Sequence, residues 1–149
     1  MSTFFRDELI KSNEPKMARY SMAEPISGEQ SPVHWDKEEF NLGIIYNNGV
    51  ITIDQPGFYR ITAACYFDDN RDRYIGLQTL VNGVPFIRTW SSFASPGFSQ
   101  GIKHLSMFDT IFFKKFTSER MKYGIEMNYF MIEKVWKLFS IFLKTSVQK

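Results

Sequence analysis

From Val33 onward, apolar and polar residues alternate in short runs, and each run stops at a residue that favours a turn. The clearest run is Phe58–Phe67. Tyr59, Ile61, Ala63, Cys65 and Phe67 fall on one face at period two, with Arg60, Thr62 and Tyr66 on the other. That spacing predicts a strand with one buried face. Ile44–Tyr46 and Val50–Ile53 flank Asn47-Asn48-Gly49, while Tyr74–Val81 and Val84–Trp90 flank Asn82-Gly83. Asn-Gly between strand-forming runs predicts a tight hairpin, because the primed turns need positive φ at their central residues. Gln55-Pro56-Gly57-Phe58 predicts a type II turn, with Pro fixing the first φ and Gly57 taking the positive one. Ser91–Gln100 reads as a Ser/Gly/Pro loop holding Phe93 and Phe98, and Ile102–Met107 and Thr110–Phe116 as two further strands. Many short strands without intervening helices predict an all-β antiparallel sandwich, jelly roll or barrel.

The two ends are different. Residues 1–32 are polar, carry Pro15, Pro25, Gly28 and Pro32, and show no sustained apolar period. They read as an N-terminal arm or tether with one short strand around Met17–Met22, preceding a domain over 33–149. In the C-terminal third, Ile125, Tyr129, Ile132, Trp136, Phe139 and Leu143 recur at steps of four and three. Alone, that stripe predicts an amphipathic helix over 119–143. The rival reading is two strands, near Tyr123–Phe130 and Lys137–Ser146. We adopt the strands, with a partly helical third as the alternative.

Composition narrows the function classes. At 149 residues, 44% hydrophobic and 23% charged, the chain is the size of one globular domain that needs no staples. The net charge is +2, from 18 basic and 16 acidic residues, so no field of one sign points to nucleic acid. Cys65 is the one cysteine, which excludes an intrachain disulfide and any zinc site built on paired cysteines. No signal-peptide run, transmembrane segment or Asn-x-Ser/Thr sequon is present, so manufacture in a cytoplasm is expected.

Catalytic chemistry finds no support. His34 and His104 lie far apart in sequence, and HExxH and phosphate-binding Gly loops do not occur; Gly97-Phe98-Ser99-Gln100-Gly101 has the Gly-x-Ser-x-Gly spacing, but a strand and not a helix is expected after it, so it is no nucleophile elbow. Glu38-Glu39 and Asp68-Asp69 are adjacent, so on a strand they point to opposite faces and cannot work as a pair. Cys65 among Ala63, Ala64 and Phe67 reads as a buried, inert thiol. Asp68, Asn70 and Asp72 have the opening spacing of an EF-hand, but Arg73 stands where Gly is needed and Thr79 where Glu is needed. A looser calcium cage at Asp68, Asn70 and Asp72 is the one metal site on offer. The ordinary reading is a solvated turn with Arg71 and Arg73 balancing the acids. For recognition, Trp90, Phe93 and Phe98 are the candidates, together with Arg71 and Arg73 of the preceding loop. Bulky aromatics in a polar loop favour burial against a partner, or else cap the sandwich or fill a subunit seam.

Trp35, Asn41, Tyr46, Gly57, Tyr59 and Ile61 stand at spacings that resemble the signature of complement C1q/tumour-necrosis-factor-like jelly rolls. That signature runs aromatic, five residues, Asn or Asp, four residues, aromatic, a strand, then Gly-x-Tyr-x-Phe. The step from Tyr46 to Gly57 is about two residues short, which the Asn-Asn-Gly turn absorbs. Later, Leu105–Asp109 resembles a Leu-x-x-Gly-Asp step with Phe108 in place of the Gly. Phe139–Leu143 resembles a closing Phe-Ser-Gly-Phe-Leu strand with Ile141 in place of the Gly. The wording from His34 to Ala63 is similar to C1q-like modules of phage and bacterial proteins.

The resemblance implies a ten-strand jelly roll that forms a homotrimer around a three-fold axis and does non-enzymatic work. The first expectation is a structural or recognition role on a particle surface, as a virion or phage decoration or receptor-contact protein. Its partners would be itself, other virion or surface proteins, or a cell-surface glycan or receptor. The alternative is a soluble, secreted C1q-like lectin or ligand-binding protein. No cofactor is expected beyond the calcium that some members of the family bind.

Overall fold

The structure, a computed structural model, describes residues 14–23, 30–67, 75–91, 95–115, 121 and 127–135. Ten strands are described: β1 (Met17–Ser21), β2 (Lys37–Leu42), β3 (Ile45–Asn47), β4 (Val50–Thr52), β5 (Gly57–Cys65), β6 (Ile75–Val81), β7 (Val84–Ser91), β8 (Gly97–Leu105), β9 (Thr110–Lys115) and β10 (Tyr129–Lys134). They form two antiparallel five-stranded sheets, in the orders β2-β1-β10-β5-β8 and β3-β4-β9-β6-β7. This is an antiparallel jelly-roll sandwich, as the strand pattern predicted.

Local chemistry sets both hairpins. Asn48 and Gly49 have φ of 49° and 84°, and Asn82 and Gly83 have φ of 50° and 77°. Two successive positive φ values are the primed turn whose twist matches the flanking strands. The Gly57 turn is different. Its φ is 158°, twice the value of about +80° at the third position of a type II turn. Gly57 therefore opens β5 instead of closing a turn, and a Cβ there would meet Lys134 Cε at 2.7 Å.

β5 follows its period-two pattern. Tyr59, Ile61, Ala63, Cys65 and Phe67 are all fully buried. They meet Ile51, Ile53, Leu77, Ile111 and Phe113 of the other sheet in one core. Phe130 is the hub of its aromatic part. Its ring centroid lies 5.1 Å from Phe113, 5.3 Å from Tyr20, 5.5 Å from Tyr46 and 5.6 Å from Trp35. Offset and edge-on rings at these separations add to their area burial.

Two expectations are met and one changes. The strand expected near Met17–Met22 is β1, hydrogen-bonded on both sides, to β2 and β10. β10 occupies Tyr129–Lys134, with Phe130 and Ile132 buried, so a continuous helix over 119–143 is excluded. The adopted strand reading holds for Tyr129–Lys134, where Tyr129 and Ile132, aligned on a helix, lie on opposite faces. The second C-terminal strand, Lys137–Ser146, lies outside the described residues. Finally, the stretch expected to be a loop up to Gln100 enters β8 at Gly97. There its backbone pairs with β5, Gly97 facing Cys65 and Gln100 facing Thr62.

Candidate functional site

Trp35, Asn41, Tyr46 and Tyr59 anchor separate hydrogen-bonded contacts around the core. The Tyr46 hydroxyl accepts from Trp35 N at 2.8 Å and donates to Trp35 O at 3.0 Å. Asn41 Oδ1 accepts from Ile44 N, while its Nδ2 donates to Ile44 O and to the Tyr20 hydroxyl. The Tyr59 hydroxyl donates to Gln55 O at 2.7 Å. Burial pushes the Tyr46 hydroxyl pKa up to about 12, and that of Tyr59 further still. These phenols stay neutral and structural.

The surface candidate is the outward face of the β2-β1-β10-β5-β8 sheet. Paired residues on antiparallel strands share a face, so the register assigns it row by row. One row is Phe40, Arg19, Met131, Thr62, Gln100. The next is Leu42, Met17, Glu133, Arg60, Ile102, and a third is Lys37, Ser21, Tyr129, Ala64, Phe98. Leu42 is 54% exposed, Phe98 60%, and Phe40 and Ile102 just over 40% each. Two ion pairs lie among them, Arg60 Nη1 at 2.6 Å from Glu133 Oε1 and Arg19 with Glu39, Arg19 also lying 3.8 Å over the Tyr129 ring, while Lys37 stands exposed at the β2 edge. Ser21 and Thr62 on this face are buried, and their hydroxyls have no hydrogen-bond partner among the described residues. The face thus sets exposed apolar side chains around two internal ion pairs, a surface chemistry that suits an interface.

The sequence candidates distribute unevenly over this geometry. Phe98 lies on the face, at the β8 edge. Trp90 is exposed on β7 of the other sheet, with the Arg88 guanidinium 5.8 Å from its ring, so these two aromatics stand on different sheets. Phe93, Arg71, Arg73, Asp68, Asn70 and Asp72 lie outside the described residues. His104 is exposed with its ring edge-on to Phe58 at 5.1 Å, and His34 is exposed ahead of β2. Burial pushes the Cys65 thiol up to about 12, so it stays protonated and unreactive. Glu38 accepts from the Tyr20 hydroxyl while Glu39 binds Arg19, so the adjacent acids serve different partners. Among the described residues no cluster of three or more His, Cys, Asp or Glu side chains is placed to hold a metal ion. No described helix is long and apolar enough to cross a membrane.

Sequence reasoning missed Phe40, Leu42, Met131 and Ile102. The period-two signal at Phe40 and Leu42 was available, but Lys37-Glu38-Glu39 ahead of them hides it. Only the strand register brings these four together.

No protein-family model and no curated protein sequence matches the chain. Solved structures do. A crystal structure of murine APRIL aligns with a TM-score of 0.69 at 16% identity, covering 82% of this chain and 100% of that one. Eiger TNF from S. frugiperda aligns at 0.67 and 13% identity, over 83% of this chain and 94% of that one. Pika GITRL aligns at 0.56 and 15% identity, over 83% and 97%. With two antiparallel sheets in this arrangement, the chain has the C1q/tumour-necrosis-factor jelly-roll fold.

Proposed function

We propose that the chain is a non-enzymatic homotrimeric recognition protein, displayed at a particle or cell surface, that acts by binding. The observation behind this reading is the outward face of the β2-β1-β10-β5-β8 sheet. Four large apolar side chains are solvent-exposed there on one continuous sheet, around ion pairs that are already satisfied. Monomeric proteins rarely leave such a face uncovered. A second and third copy of the chain cover it, and the three-fold axis implied by the C1q/TNF resemblance sets the number.

Within this reading the chain decorates a virion or phage, or makes its receptor contact, as the likeness of His34–Ala63 to phage and bacterial modules supports. Secretion as a soluble ligand is the second reading, favoured by the fold shared with APRIL and GITRL. Trp90 remains the proposed outward contact residue, together with Phe93, Arg71 and Arg73, while Phe98 goes to the seam between copies. Calcium at Asp68, Asn70 and Asp72 remains the proposed ion.

The test uses the labelled chain alone, on intact cells and on an immobilised glycan array, beside Met131→Glu. Met131 lies at the centre of the face, so the charge disrupts association without entering the core. Binding by wild type that collapses in Met131→Glu supports a multivalent recognition protein. Wild type that binds neither surface contradicts recognition by the isolated chain.

A further inference from the structure

The outward face of the β3-β4-β9-β6-β7 sheet carries charge of one sign. Its five strands hold Arg88, Lys114 and Lys115 and no Asp or Glu. Lys115 is buried on the inner face, over the Phe67 ring. Arg88 and Lys114 are exposed, and the register sets them on either side of half-buried Gln78, in one row across β7, β6 and β9. On the opposite sheet Arg19 and Arg60 have carboxylate partners, Glu39 and Glu133, whereas Arg88 and Lys114 have none among the described residues. The acids that border the strands, Asp54 after β4 and Asp109 before β9, lie at the other end of the sheet. Asp54 is bonded to Lys16 there, and Asp109 to Asn82 and Ser106. The row beyond Gln78 pairs Trp90 with Gly76. Trp90 is 40% exposed, with the Arg88 guanidinium 5.8 Å from its ring. A Cβ at Gly76 would sit 1.8 Å from the Thr89 carbonyl oxygen, so β6 presents backbone and not a side chain beside the indole. An uncompensated cation row next to an exposed indole is thus built into the sheet that faces away from self-association.

We propose that this face binds an acidic sugar chain whose rings carry carboxylates, with Trp90 stacked on a ring and Arg88, Gln78 and Lys114 on its polar rim. A sugar ring has an apolar C–H face and a polar edge, which matches an indole flanked by hydrogen-bonding groups. The Arg88 guanidinium takes a carboxylate in its planar fork, and the Gln78 amide both donates to and accepts from hydroxyls. Lys114 meets the next acid along the chain as a point charge. Two cations suit single carboxylates and are too few to neutralise a phosphate backbone. An acidic peptide would use a free strand edge or side-chain pockets, whereas this row runs across the face of the sheet. The site rests on the recognition reading, whose outward contact Trp90 it shares. In a homotrimer three such faces look outward, so weak contacts with a repeating chain combine.

The test is biolayer interferometry of the full chain on immobilised oligogalacturonate, which bears a carboxylate on every ring, beside neutral dextran and dextran sulfate. Arg88→Gln, Trp90→Ala and Lys103→Gln are run with wild type, each with light scattering, a thermal melt and binding to intact cells. Wild type binds oligogalacturonate and passes over dextran. Arg88→Gln loses about tenfold or more, as for a charge-assisted hydrogen bond, and Trp90→Ala loses a similar factor. Lys103→Gln removes the same charge from β8 and binds as wild type does. The substituted side chains are exposed or half-buried, so all three variants melt with wild type, which separates loss of binding from loss of fold. Wild type that ignores oligogalacturonate or binds dextran equally overturns the proposal. So does a loss in Arg88→Gln matched by Lys103→Gln, or a preference for dextran sulfate, since either reports bulk charge alone. Cells that hold Arg88→Gln as tightly as wild type keep the recognition reading and remove this site from it. A single-chain particle that still binds through Arg88 contradicts the trimer alone.

Discussion

The Tyr46 hydroxyl closes a two-way bridge on the backbone of Trp35, accepting from its N–H and donating to its carbonyl. Trp35 is buried on the segment entering β2, and Tyr46 lies on β3, in the other sheet. One phenol thus ties the two sheets together where the chain crosses between them.

Tyr46→Phe keeps the ring beside Phe130 but strands both Trp35 backbone groups away from water. An unmade buried hydrogen bond costs about 1–3 kcal/mol, so the urea midpoint should fall with an unchanged slope. An unchanged midpoint would remove the bridge from the account of stability.

Gly76→Ala should be far more damaging. A Cβ at Gly76 would sit 1.8 Å from the Thr89 carbonyl oxygen, a backbone atom held in the β6–β7 ladder. Neither strand can yield without breaking that ladder, so the variant should express as insoluble or unfolded chain. A soluble variant with the wild-type melting temperature would mean that the β6–β7 register is wrong.

Alkali should unfold the protein through its buried acids. Burial raises Tyr46 and Cys65 to about 12, and raises Tyr59 as well. Unfolded, such groups ionise near ~10 for tyrosine and ~8.5 for cysteine. Folded pKa values above the unfolded ones mean that stability is complete below the unfolded values and falls as pH rises toward the folded ones. Tyrosinate absorbance of the buried phenols should therefore appear together with the loss of β circular dichroism, in one transition. Ionisation of every tyrosine near its ordinary value with the fold intact would contradict their burial.

Much of the fold was legible because its determinants are local. Asn48-Gly49 and Asn82-Gly83 announce their turns by the φ values they tolerate, and β5 announces its buried face by strict alternation. Lys37–Leu42 was harder, since Lys37, Glu38 and Glu39 suit an exposed edge strand and carry no hydrophobic signal. The stripe through Tyr129 and Ile132 fitted a helix as well as a strand, and tertiary pairing with β1 and β5 decided it. Phe108 stood out by replacing a Gly, and the structure shows that it keeps the positive φ. The candidate face was not legible. Phe40, Met131 and Ile102 become neighbours only through the order β2-β1-β10-β5-β8, in which strands far apart in the chain lie side by side.

The face can also be read by exchange. In an assembled protein the amides of β1, β5 and β10 are shielded from both sides, while β3 at the far sheet's edge stays open. Deuterium uptake at Tyr129–Lys134 should therefore rise in Met131→Glu with β3 unchanged. Equal protection in both proteins would mean that nothing covers the face.

The central claim is self-association through that sheet, and native mass tests it most directly. Sedimentation equilibrium at micromolar concentration should give three chains per particle for wild type and one for Met131→Glu, both with the same β circular dichroism. A wild-type protein that sediments as a single chain, or a Met131→Glu variant that stays trimeric, would contradict the account.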